Sequence, residues 1–303
     1  MRSVYDGPMT APPLPIPAAA SDARLPRRVL GVTEILIIAA VLSVFGFAFN
    51  AIGLIPFLAA GVIDPLPWSL TDASARAIGY LVGVLGTVAV IAIYLRARLG
   101  VGLASIGLSR PRWGAFATGL LLGAAISGLG TAIAWSSDLV RPTQPAEMPG
   151  GAALVLVALL YLLTYVLQGA GEEIVSRGFL LRGTAWWIGL WPAVAVQALL
   201  FVALHLGNPT MTPLYALFVI VFALFAALLV IIQGHLWGVI GVHGGYNVVF
   251  FAVGQRGLGL RDVADPDNLS FPDLASTPFF ALGALVLGVI LWRRRGGSPT
   301  AAN

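Results

Sequence analysis

Long apolar runs interrupted by short polar clusters dominate the chain. Stretches long enough to span a bilayer occur at about 33–55, 75–95, 115–135 and 152–171, then 191–206, 213–232, 235–253 and 277–292. None shows the two-residue alternation of a half-buried strand, so the pattern predicts an all-α, polytopic membrane protein with about eight transmembrane helices. The fourth helix is expected to continue through a charged motif to about Arg182. The fifth run is the shortest, and the Gly207-Asn208-Pro209 that follows suggests an end inside protein rather than in water. No internal repeat or soluble second domain is visible. The expected organisation is a disordered cytoplasmic tail over residues 1–28, one transmembrane domain over 29–295 and a short tail over 296–303. Residues 152–253 would carry the chemical core.

Composition agrees. Hydrophobic residues make up 58% of the 303 and charged residues 10%, against about 25% charged in soluble domains. The mean hydropathy is +0.92. A net charge of +4 invites a nucleic-acid reading, but the arginines sit at span ends rather than on one face, so no nucleic-acid partner is expected. Arg24, Arg27 and Arg28 precede the first run; Arg96, Arg98, Arg110 and Arg112 separate the second from the third. Arg182 follows the fourth, and Arg293 to Arg295 follow the last. The alternate loops carry Asp64, Asp72, Asp138, Glu147, Asp262, Asp265, Asp267 and Asp273. Eight spans with both termini in the cytoplasm satisfy the positive-inside rule at every basic cluster. Residues 1–28 lack the apolar core of a signal peptide. Lysine and cysteine are absent, which excludes disulfides and thiolate chemistry and points to a bacterial inner membrane.

Charge inside an apolar run changes the picture. Glu172, Glu173 and Arg177 lie within six positions, and each costs roughly 2.5–3.5 kcal/mol at bilayer depth on insertion scales. Glu173 and Arg177 stand at i and i+4 and can pair, whereas Glu172 points about 100° away. Its candidate partners are His205, in Phe201-Val202-Ala203-Leu204-His205, and His243, in His243-Gly244-Gly245-Tyr246-Asn247. At 1.5 Å per residue, Glu172, His205 and His243 lie about 15, 20 and 12 Å from the cytoplasmic ends of their helices, depths that permit convergence. One Glu and two His can hold Zn²⁺ or activate a water, and an amide at Asn247 suits a developing oxyanion. Ser176 lacks the Gly-x-Ser-x-Gly elbow of a serine hydrolase. His235 reads as an interfacial residue and Glu34 as a snorkelling or capping acid.

Glu-Glu-x-x-x-Arg at 172–177, Phe-x-x-x-His at 201–205 and His-x-x-x-Asn at 243–247 resemble, in order, the three motifs of the CPBP family. That family comprises type II CAAX prenyl endopeptidases and bacteriocin-processing or abortive-infection-type membrane proteins. The resemblance covers roughly residues 152–253 and implies an intramembrane metalloprotease. By it, Glu172 would activate a water, while His205 and His243 position it or, with Glu172, bind zinc as a candidate cofactor. Asn247 would be the oxyanion donor, Glu173 and Arg177 support, and Phe201 a packing residue. The implied partners are the lipid bilayer and a membrane-bound protein or peptide substrate. The rival readings are an ion- or proton-coupled transporter and a non-catalytic immunity or scaffold protein of the same fold.

Overall fold

The computed structural model describes residues 25–61, 68–143, 146–208 and 211–296. Nine α-helices lie among them: α1 Leu25–Ala59, α2 Leu70–Tyr94, α3 Trp113–Ser136, α4 Gly151–Glu173, α5 Leu181–Ile188, α6 Leu190–His205, α7 Pro213–Gln233, α8 Trp237–Asn247 and α9 Phe271–Gly296. The protein is thus an all-α polytopic membrane protein. The expected tails lie outside the described residues, except that 25–28 and 296 are helical.

Among the described residues, six helical stretches are long and apolar enough to cross a bilayer: Leu70–Leu99, Trp113–Ser136, Gly151–Ile188, Pro213–Gln233, Trp237–Gly257 and Phe271–Arg294. The other two expected spans are represented by the shorter apolar stretches Gly31–Val44 and Leu190–His205. Helix α6, at 16 residues, reaches about 24 Å against a hydrocarbon core of about 30 Å. Its last residue is His205, so a short helix delivers that imidazole to the interior. A two-stranded antiparallel ladder, β1 Val140–Pro142 with β2 Leu260–Asp262, fastens the α3–α4 connection to the one before α9.

The centre of the bundle is α8, buried at every position from Gly238 to Asn247. Small residues make that possible. A side chain on Gly119 or Gly123 of α3 would run into the carbonyl of Gly238 or Val242, and one on Gly241 or Gly245 would strike those of Phe116 or Leu120. The two Gly-x-x-x-Gly spacings bring α3 and α8 into backbone contact, where close packing replaces the hydrophobic drive that lipid does not supply. On the other side of α8, Gly169 of α4 seats the His243 ring, whose Cγ would lie 3.0 Å from an added Cβ.

Two stretches of wide, π-type winding adjoin the polar motifs: Ile174–Leu180 starts after Glu173 and carries Arg177, and Val248–Gly257 follows Asn247. Such widenings re-aim side chains and recur at functional sites.

Three acids expected in loops are buried instead. Asp72 accepts hydrogen bonds from Arg76 Nε at 2.9 Å, from Arg256 Nη1 at 3.3 Å and from the Tyr161 hydroxyl, joining α2, α4 and the extension of α8. Asp262 accepts from the backbone amides of Ser270 and Phe271 and from the Ser270 hydroxyl, which fixes the start of α9. Asp273 lies in the first turn of α9. Each carries its own donors into the interior, which counting charges per loop does not reveal.

Arg182, expected at a span end, and His235, expected at the membrane interface, are both buried. Arg182 is buried and donates from Nη2 to the carbonyl of Gly234 at 3.0 Å. His235, in the turn between α7 and α8, is buried beside it. Burial, and then the charges of Arg112 and Arg182, hold the His235 imidazole below its ordinary value. The unfolded chain therefore takes up this proton first, near pH 6.5, and stability falls as pH drops below that point. His235→Gln is expected to flatten the decline of Tm between pH 7 and pH 5, read by thermal denaturation in detergent; an unchanged slope would refute the assignment. Glu34, as expected for an acid near a span end, accepts from Tyr94 Oη at 3.1 Å and from Arg98 Nε at 3.2 Å.

Candidate active site

The two adjacent glutamates diverge as helical geometry requires. Glu173 turns inward and is fully buried; its Oε1 accepts from Arg177 Nη1 at 2.9 Å and from His243 Nδ1 at 2.8 Å. The Arg177 guanidinium lies over the rings of Phe201 and Phe222, at 4.2 and 5.4 Å from their centroids. These contacts hold a fully buried arginine whose Nε and Nη2 have no hydrogen-bond partner among the described residues. Arg177 and Phe201 thus join α4, α6 and α7 around one ion pair.

Glu172 faces a cavity of about 640 Å³. Its Oε2 lies 3.9 Å from His205 Nε2 and 3.9 Å from His243 Nε2. The remaining contacts of the imidazoles decide their tautomers. His205 Nδ1 is 2.7 Å from the Phe201 carbonyl oxygen, which only accepts, so Nδ1 carries the proton. His243 Nδ1 donates to Glu173, and Phe222 packs edge-on against that ring at 4.9 Å between centroids. Both Nε2 lone pairs are left to face the same carboxylate oxygen. The three residues that the sequence singles out, on α4, α6 and α8, therefore do converge. Asn247, one turn beyond His243, lines the same cavity, and its amide makes no hydrogen bond to another described residue. Ser176 also lines it but has no imidazole bonded to it among the described residues.

The donor chemistry of this trio suits zinc, but its spacing is wider than zinc bonds require. Bonds of 2.0–2.2 Å in a tetrahedron set ligand atoms roughly 3.3–3.5 Å apart. Among the described residues no group of three His, Cys, Asp or Glu side chains is drawn in closely enough to hold a metal. A water about 2.8 Å from two atoms that are 3.9 Å apart subtends about 90° between them, an ordinary hydrogen-bonding angle for water.

Much of the remaining cavity wall is aromatic. Tyr80, Tyr215, Phe218, Phe222, Tyr246 and Phe250 line it, and Tyr246 donates to Asp273 Oδ1 at 2.5 Å. The Tyr246–Asp273 pair escaped the sequence reading because Asp273 counted as a loop acid. The available signal was its place three residues into an apolar helix, opposite the polar tip of the Tyr246-Asn247 dipeptide.

Fold and site together describe a polytopic helical membrane protein with a polar centre enclosed between α4, α6 and α8. Residues 154–249 match the family model of the Type II CAAX prenyl endopeptidase Rce1-like family, a span that includes all three motifs and agrees with the resemblance read from them. Over these residues, about a third of the chain, the protein is similar to the Rce1-like family of type II CAAX prenyl endopeptidases. No curated protein matches the chain.

Proposed function

We propose that this protein is an intramembrane endopeptidase that hydrolyses a peptide bond of a membrane-associated substrate with a water activated by Glu172. The observation that carries the reading is the equal 3.9 Å separation of Glu172 Oε2 from the two imidazole Nε2 atoms. A water bridging these atoms donates to the carboxylate and to an imidazole, which aligns an oxygen lone pair with the cavity. Glu172 takes a proton as that oxygen attacks the amide carbon. Asn247 Nδ2 donates to the oxyanion that forms on the former carbonyl oxygen. Glu172 then passes its proton to the departing nitrogen, the C–N bond breaks, and a carboxylate and an amine leave.

Glu173 and Arg177 act through His243, holding its Nδ1 proton and hence the lone pair on Nε2. Glu172, His205 and His243 would be the residues to hold a zinc ion if they closed in from their 3.9 Å spacing, and the ion would then acidify the same water. In this reading the single transmembrane domain runs over residues 29–295 with both termini in the cytoplasm, and a prenylated peptide is one substrate class to try.

The test is cleavage of a library of membrane-proximal peptides, with and without prenyl groups, by detergent-purified protein. His205→Ala and His243→Ala are each expected to lower turnover by about 10²–10⁴-fold, the range of a lost acid–base or positioning group. Activity that survives both substitutions would refute the mechanism. Loss of wild-type activity on chelation, restored by zinc, would assign the metal.

A further inference from the structure

Asp273 is a cavity-lining carboxylate that the hydrolytic sequence above does not use. It is 2% exposed, and among the described residues no arginine or histidine pairs with it. Among the described residues its carboxyl accepts from the Tyr246 hydroxyl. The neighbouring acid, Asp262, is occupied in capping α9. A carboxyl group buried in a membrane domain either stays protonated or ionises with a cation beside it. The N-terminal turn of α9 offsets part of that charge, and a ligand could supply the rest.

The rings around it favour a cation. Tyr246 stacks on Phe218 and Phe250 at 5.2 and 6.1 Å between centroids, and Phe218 stacks on Tyr215 at 6.2 Å. Tyr215 in turn lies edge-on to His205 at 6.1 Å, so this wall leads directly from the Glu172 centre to Asp273. Aromatic rings beside one carboxylate in a largely apolar cavity attract alkylammonium groups through their π faces and the counter-charge. A guanidinium or ammonium attached to an apolar stem also fits the apolar remainder of the wall.

We propose that the Asp273 end of the cavity binds a primary ammonium group on an apolar stem, so that the preferred peptide carries a lysine side chain close to the bond cleaved. The role in turnover rests on the hydrolase reading; the binding itself does not. Asp273 lies outside the matched residues 154–249, so the preference would belong to this chain rather than to the matched domain.

Binding of n-dodecylammonium and of n-dodecanol to the purified protein, measured by isothermal titration calorimetry in a zwitterionic detergent, tests the proposal without any cleavage. The wild type is expected to prefer the ammonium by about tenfold, Asp273→Asn to lose that preference and Glu172→Gln to retain it. Asparagine keeps an oxygen for the Tyr246 hydroxyl, and co-elution of the variant with the wild type on size exclusion verifies its fold. Tyr246→Phe, which leaves the carboxylate in place, is expected to keep the preference. A wild type that does not distinguish the two ligands overturns the proposal whatever the variants do. A preference lost in Glu172→Gln and kept in Asp273→Asn overturns it equally, by moving the ammonium to the hydrolytic centre. Peptide turnover absent alongside an intact ammonium preference would refute the hydrolase and leave the binding site standing.

Discussion

Glu172→Gln is expected to lower peptide hydrolysis by about 10³-fold or more while leaving the fold intact, and Glu173→Gln to do nearly the reverse. The Glu172 side chain is about one-third exposed to the cavity, and its Oε2 has no hydrogen-bond partner among the described residues. Glutamine is nearly isosteric but cannot take a proton from water, so the chemistry is lost and the packing kept. Glu173 is fully buried and joins Arg177 to His243. Removing its charge leaves the Arg177 guanidinium uncompensated in the interior, a change that costs about 3–5 kcal/mol when one member of a buried pair is deleted. Its activity should fall mainly through loss of folded protein and through a His243 ring free to swap tautomers. Thermal denaturation and turnover, measured on both variants, separate the two roles. Equal loss of activity with equal stability in the pair would refute the division of labour.

The second large effect is expected from a substitution that touches no polar group. Gly123→Ala places a methyl group on α3 against the carbonyl of Val242, the residue before His243. Neither helix can yield locally, because Gly119, Gly241 and Gly245 hold the same interface in backbone contact. The helices must separate or slide. Overpacking of this kind costs about 1–3 kcal/mol and occasionally more. Displacing α8 also carries His243 and Asn247 away from Glu172 on α4, and a shift of about 1 Å in a reacting constellation lowers rate by about 10²-fold. Turnover should therefore fall by about 10²-fold even in preparations that remain monodisperse. Gly128→Ala, on the same helix but with nothing within 4 Å of an added Cβ, is the matched control and should behave as wild type. Indistinguishable activity in the two alanine variants would show that the α3–α8 contact does not position the site.

These two expectations mark where the sequence is informative and where it is not. Glu172, Glu173, Arg177, His205, His243 and Asn247 were legible because charge and imidazole are expensive in apolar helices, so their presence alone is a signal. The Glu173–Arg177 pair was legible because both partners lie on one helix, four residues apart. Helical periodicity likewise exposed the apolar spans, and the three ordered motifs carried the resemblance to the CPBP family, which the match over residues 154–249 agrees with. The buried clusters around Asp72 and Asp273 were not legible. Their partners, Tyr161, Arg256 and Tyr246, are distant in sequence and carry no periodic signature, so each acid looked like an ordinary loop residue. Arg182 at a span end and His235 as an interfacial residue gave no sign of burial for a related reason: only the fold of the 100–112 and 234–236 segments over them encloses them.

The amino-acid pattern by itself determined the membrane class, the helical fold and the set of polar residues placed inside apolar helices, because those follow from local periodicity and from the cost of charge in lipid. The tertiary structure alone decided which carboxylate meets the two Nε2 atoms, which tautomers those rings hold and where a second carboxylate stands in the cavity. Those outcomes depend on how closely α3, α4 and α8 approach through their glycines. Close approach is a property of pairs of helices, and it has no counterpart along a single chain.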